Sequence, residues 1–164
     1  MTSGDSWTAW IEENGETFFL YARQQCRSES DAKDVLQEAL TEAWQRTAKG
    51  VPDRALVFAT IRRRAIDVAR SMDRRKIREV DFGNGGPELF YPDFSANDVR
   101  HQLACAVGAL PDLLQEVVIL RIWGDLTFPA IAQLINIPVA TATSRYRYAL
   151  ERLRECSALT ELIP

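Results

Sequence analysis

Apolar side chains recur along most of this chain at steps of three and four residues, and no stretch sustains the alternation of a half-buried strand. An initial helix is expected from roughly Trp10 to Cys26, holding Phe18, Phe19, Tyr21 and Ala22. Ser30 is placed to cap a longer helix, with Asp31 and Asp34 in a first turn where the dipole favours acids. Leu36, Leu40, Ala43 and Trp44 form its apolar stripe, and Lys49-Gly50 reads as a basic last turn closed by a C′ glycine. After Pro52, the residues Val57, Ile61, Ala65, Val68 and Met72 make one narrow stripe of a third helix.

The period is then lost. Residues 82–98, FGNGGPELFYPDFSAND, contain three Gly and two Pro and read as a linker. Its Phe82, Phe90, Tyr91 and Phe94 suit docking on a neighbouring domain or in a partner's groove. Four shorter helical patterns follow. Val99, Leu103, Ala106 and Leu110 carry the first. Leu114, Val117, Val118 and Ile122 carry the second, between Pro111 and Gly124. Ile131, Leu134 and Ile135 form the third, behind a Thr127 cap with Pro129 tolerated in the first turn. Asn136-Ile137-Pro138 then breaks the chain before Ala142, Tyr146, Ala149, Leu150 and Leu153. Two helices joined by three residues are a helix-turn-helix candidate. The expected fold is all-α, with two helical domains at 7–80 and 98–160 joined by a flexible linker at 81–97. The second domain is expected to have a winged-helix-like topology without the wing.

Composition bounds the function. The 164 residues are 46% hydrophobic and 26% charged, enough for one ordinary domain or two small ones. No apolar run of about 18 residues occurs, so no membrane insertion is expected. The acidic N-terminus lacks the basic and apolar regions of a secretory signal. Cys26, Cys105 and Cys156 are widely spaced and odd in number, which suits a reducing cytoplasm. The net charge of −3 conceals an asymmetry. Arg62 to Arg78 holds eight basic and two acidic residues, residues 81–110 one basic and four acidic, and Pro138 to Arg154 four Arg against one Glu. Screening over roughly 8 Å makes those local charges, rather than the total, what a partner meets.

Enzymatic chemistry has little to stand on. His101 and Cys105 would share a helix face, but two ligands do not make a metal site, and a cysteine in an apolar stripe is ordinarily packing. Asp31 with Asp34, or Gln37 with Glu38, has no nucleophile or second base beside it. The glycines at 83, 85 and 86 lead into Pro87 rather than a helix, so there is no phosphate loop. Catalytic residues, a metal and a cofactor are therefore not expected. The basic features say more. Arg62, Arg63 and Arg64 cannot all enter one core, and with Arg70, Arg74, Arg75, Lys76 and Arg78 they spread charge suited to phosphate. Asp67 is spaced to pair with Arg63 or Arg70. In the last helix, Thr141, Thr143, Ser144, Arg145 and Arg147 lie beside or opposite the apolar stripe, with groups that contact phosphates or base edges.

These residues resemble the small extracytoplasmic-function group of bacterial sigma-70-family initiation factors, built from regions 2 and 4 alone. DAKDVLQEALTEAW matches that family's second region at Asp31, Ala32, Asp34, Gln37, Glu38 and Trp44, and AIDVARSMDRR is similar to its Ala-Ile-Asp-x-x-Arg segment. Leu110-Pro111, Ile131-Ala132, Ile137-Pro138, Thr141 and Ser144-Arg145 fall on familiar positions of its promoter-reading region. The resemblance implies that Asp34, Gln37 and Glu38, with Asp31 and Glu42, hold the clamp helices of core RNA polymerase. It implies that the flap is a second polymerase contact and that Trp44 packs between helices. It places Arg62, Arg63, Arg70, Arg74, Arg75 and Lys76 near the −10 element, and Thr141, Thr143, Ser144, Arg145 and Arg147 at the −35 element. Promoter DNA and an anti-sigma factor are the implied partners. The chain departs from the family pattern at Leu56, Arg63, Thr143 and Tyr148, where Trp, Asn, Lys and a basic residue are usual. A degenerate polymerase-bound regulator and an ordinary helix-turn-helix repressor are the competing expectations.

Overall fold

A computed structural model describes the backbone of residues 3–76 and 99–155, and their side chains except at 3, 73–76, 99–102 and 104. Every regular element among the described residues is helical. The chain divides into two compact units, Met1–Glu88 and Leu89–Pro164. The expected linker, with Phe82, Phe90, Tyr91 and Phe94, lies outside the described residues, as does Cys156.

The first unit contains α1 (Ser3–Gln25), α2 (Glu29–Arg46) and α3 (Arg54–Lys76), each packed on the other two. Helix α1 begins about two turns before the expected Trp10. The reason is Trp7, which is buried and stacks edge-on against Trp10 at 5.4 Å and Trp44 at 4.5 Å. Trp44 is thus not enclosed between helices as expected; one side meets Trp7 and half of it remains exposed. The core centres on Phe18, Tyr21 and Phe58, all fully buried, with Phe58 edge-on to both others at 5.0 and 5.5 Å. Such aromatics supply about 1.5–3 kcal/mol each by burial, with edge-to-face geometry adding to it.

Two boundaries differ from expectation. Ser28, not Ser30, caps α2: its backbone is extended (φ −136°, ψ 157°) and its hydroxyl accepts from the Asp31 amide at 3.1 Å. The tight connection after Gln25 leaves Ser30 inside the first turn. Helix α2 also stops at Arg46 rather than Lys49: the backbone turns extended at Thr47 (φ −95°, ψ 110°), whose amide and hydroxyl both still donate to the Ala43 carbonyl, the hydroxyl at 2.7 Å. Gly50 (φ 75°) serves the following turn instead of the helix end. The inward face of α2 is Ala32, Val35, Ala39 and Ala43, while Leu36 and Leu40 are only half-buried. Small residues there let the three helices approach closely.

The second unit contains α4 (Val99–Gly108), α5 (Asp112–Val118), α6 (Phe128–Ile135) and α7 (Val139–Glu155). Helix α5 continues into one wide turn, Ile119–Trp123, in which the Gly124 amide donates to the Ile119 carbonyl five residues back. That extra residue per turn rotates Ile122 out of the apolar stripe, leaving it exposed against expectation. Gly124 is required there: a Cβ would lie 2.5 Å from the Leu120 carbonyl oxygen. Thr127 caps α6 as expected, accepting from the Ala130 amide at 3.2 Å, and Asn136 ends it in the left-handed conformation (φ 58°). Helix α7 packs on α5 and α6 through Ala142, Ala149 and Leu153. Cys105 is exposed on α4 rather than packed, and the His101 side chain lies outside the described ones.

Candidate polymerase and nucleic-acid interfaces

Burial of Ala32, Val35, Ala39 and Ala43 turns the opposite face of α2 to solvent. Asp34, Gln37 and Glu38 share that face and are all exposed. Asp31 is half-buried at the first turn, where its amide completes the Ser28 cap. Glu42 is different. Its side chain is only 14% exposed and lies against α3. Arg63 donates through Nη2 to both Glu42 oxygens at 2.7 and 2.9 Å, and Arg64 Nη2 to Oε2 at 3.2 Å. Arg46 Nη2 approaches Oε1 at 3.0 Å from the end of α2. The hydrogen bond from Arg63 is the largest cause holding the Glu42 carboxyl below its ordinary range, with Arg64 and Arg46 acting in the same direction against partial burial. Arg64 Nη1 also reaches Glu38 Oε2 at 3.4 Å.

The structure therefore brings together an expected polymerase contact, Glu42, and an expected DNA contact, Arg63. Arg63 turns to Glu42 on the neighbouring helix rather than to Asp67 on its own, and Asp67 is exposed. Arg62 is half-buried and Arg70 exposed. Arg74, Arg75 and Lys76 lie on the last turns of α3, with side chains outside the described ones. Arg46 was absent from the sequence-derived sites, and Arg64 entered only as part of the basic run, without a site of its own. The four-residue step from Glu42 to Arg46 was a readable signal; the approach of α3 was not, because it depends on how two helices pack.

In α7 the buried stripe sets the outward face. Ser144, Arg147 and Tyr148 are exposed, and Thr141, Thr143 and Arg145 are half-buried. The Thr143 hydroxyl donates back to the Val139 carbonyl at 3.0 Å. Tyr148 lies 5.9 Å from the Arg152 guanidinium, a loose cation–π contact. Behind this face, Arg121 donates to the Leu126 carbonyl at 2.9 Å and lies 4.7 Å over the Phe128 ring, which meets Tyr146 edge-on at 5.4 Å. That stack joins the 119–123 turn, α6 and α7. Among the described residues no cluster of three or more metal-ligating side chains occurs. Nor is any helix there long and apolar enough to cross a membrane.

Comparison with known proteins gives these faces a family. Residues 100–153 match the sigma-70 region 4 family. Over 131 residues the chain is 30% identical to the ECF RNA polymerase sigma factor RpoE of Cereibacter sphaeroides, covering 77% of this chain and 72% of that one. It is 30% identical over 153 residues to the ECF RNA polymerase sigma factor SigL of Mycobacterium tuberculosis, covering 89% and 85%. The RNA polymerase sigma-E factor of Streptomyces avermitilis is 32% identical over 154 residues, covering 89% and 82%. Among solved structures, the sigma factor RpoE of Bartonella quintana in complex with the anti-sigma factor NepR has the same fold. Its TM-score is 0.71 at 18% identity, over 91% of this chain and 94% of that one. Relatives at this identity span both helical units, and the chain belongs to the extracytoplasmic-function group of sigma-70-family RNA polymerase sigma factors.

Proposed function

We propose that this sigma factor divides its work among three surfaces. The exposed row Asp34, Gln37 and Glu38 on α2, with Asp31 at its edge, docks on the clamp helices of core RNA polymerase. The arginines of α3, including Arg62, Arg63 and Arg70, face promoter DNA near the −10 element, with Arg74, Arg75 and Lys76 continuing the charge. The outward side of α7, at Thr141, Thr143, Ser144, Arg145 and Arg147, enters the major groove at the −35 element. On this reading residues 7–80 and 98–160 are the two working domains. The second also meets the polymerase flap, and polymerase supplies all the chemistry. The site of action is the cytoplasm, where both partners are found. An anti-sigma partner belongs to the same reading, since the solved RpoE is in complex with the anti-sigma factor NepR.

The observation that carries the proposal is the α2 row: three polar side chains stand outward in one line, and none is needed for the core. Asp34 is the cleanest probe, because Glu38 also reaches Arg64. Asp34→Lys is expected to weaken binding of core polymerase by about tenfold, an effect near 1.4 kcal/mol, while far-ultraviolet circular dichroism stays unchanged. Surface plasmon resonance on immobilised core enzyme measures it. Wild-type affinity at every salt concentration would remove α2 from the polymerase interface.

A further inference from the structure

We infer that Arg46, Arg63 and Arg64, gathered around Glu42, form a seat for one phosphate of the promoter DNA backbone. The inference rests on the DNA-facing role proposed for α3; it adds Arg46, from α2, to that surface and gives Arg64 a defined place in it.

Three guanidinium groups from two helices converge on a single carboxylate, at 2.7, 3.0 and 3.2 Å. One such pair would be enough to tie α2 to α3. Three cations held this close repel one another, and a helix–helix tie has no use for the second and third. Glu38 supplies a second carboxylate at 3.4 Å from Arg64. Within the ion-paired set itself, three positive groups meet two negative ones, an excess of one positive charge, and a phosphodiester carries the single negative charge that offsets it. The geometry points that surplus outward. The Glu42 side chain is 14% exposed, whereas those of Arg46, Arg63 and Arg64 are 59%, 54% and 39% exposed. Glu42 sits behind with the three cations in front of it, and Glu38 stands to the side, 56% exposed, against Arg64 alone. Arg46 and Arg63 engage Glu42 through Nη2, so the outer N–H groups of each fork remain for a ligand that accepts several bonds at once. Glu42 thus acts as a positioning residue: it meets the cost of ordering three long side chains before DNA arrives.

The test uses the variant chain assembled with core polymerase. Fluorescence anisotropy follows binding to a selected promoter and to a scrambled duplex across a salt series. Arg46→Gln is expected to weaken both duplexes alike, by about three- to tenfold, and to reduce the slope of log affinity against log salt by about one. Arg46→Lys is expected to recover most of that loss, since an ammonium still binds phosphate as a point charge. A purely structural Arg46 would leave the salt slope where it was. Wild-type affinity and slope for Arg46→Gln, with the wild-type holoenzyme still selecting its promoter, would overturn the seat while leaving the three-surface reading intact. So would a loss confined to the selected promoter, which belongs to base reading. If the wild-type holoenzyme shows neither promoter selectivity nor salt dependence, the parent reading falls and the seat falls with it.

Discussion

Cys26 and Cys105 carry the same thiol into opposite surroundings. Burial pushes the Cys26 thiol up to about 11 from 9.0; the nearby Asp31 charge adds to the effect and Arg23 opposes it. Cys105 is exposed on α4. Since the thiolate is the reacting form, iodoacetamide at pH 8 is expected to label Cys105 at least about tenfold faster than Cys26, with the gap closing in denaturant. Peptide mapping by mass spectrometry reads both sites, and equal native rates would contradict the buried placement of Cys26. Arg145 and Arg147 are a second contrast. Two residues along a helix turn the side chain by about 200°, so these arginines flank opposite sides of α7. Arg147 is exposed beside Ser144, at the centre of the outward face, and Arg145 is half-buried at its rim. Arg147→Ala is therefore expected to cost about 1–3 kcal/mol on a selected upstream element and little on a scrambled one. Arg145→Ala should weaken both equally, with a shallower salt slope. Anisotropy with the holoenzyme separates the two, and unchanged binding for both variants would mean that α7 does not read DNA.

At the scale of elements, the tie between α2 and α3 is titratable. The Glu42 carboxyl is held below its ordinary value of 4.5, so the folded state binds its proton less readily than the unfolded chain. The stability it contributes is fully present above that unfolded value and is lost as pH falls through the lower folded one. Urea midpoints of the wild type and Glu42→Gln are thus expected to differ at pH 6 and to converge below pH 4.5. A difference that persists at low pH would show that the variant acts by something other than this charge. The same tie should weaken in high salt, because its arginines are substantially exposed. In the second unit the comparable joint is aromatic: Phe128 meets Tyr146 edge-on between α6 and α7, and the Arg121 guanidinium from the 119–123 turn lies over the Phe128 ring. That joint has no charge pair to titrate.

For the whole molecule, the chain alone determined the class and the order of parts. Every helix was foreshadowed by its three-and-four spacing. Thr127, Pro52 and Asn136 marked their boundaries, because caps and breakers act within one turn of themselves. The family was legible for the same reason: Asp31 to Trp44 and Leu110 to Arg145 are local strings, and the comparisons agree with what those strings suggested. What could not be read depends on distance through space. Ser28 takes the cap from Ser30 because α1 ends so close before α2. The turn at 119–123 widens because the Gly124 amide reaches back five residues, and Ile122 loses its place in the stripe. Leu36 and Leu40 yield the centre of the interface to Val35 and three alanines, since helix spacing rewards fit as well as hydrophobicity. Above all, Glu42 and Arg63 looked like members of two different surfaces, twenty-one residues apart. Only the packing of α3 on α2 closes that separation to 2.7 Å and makes them one cluster.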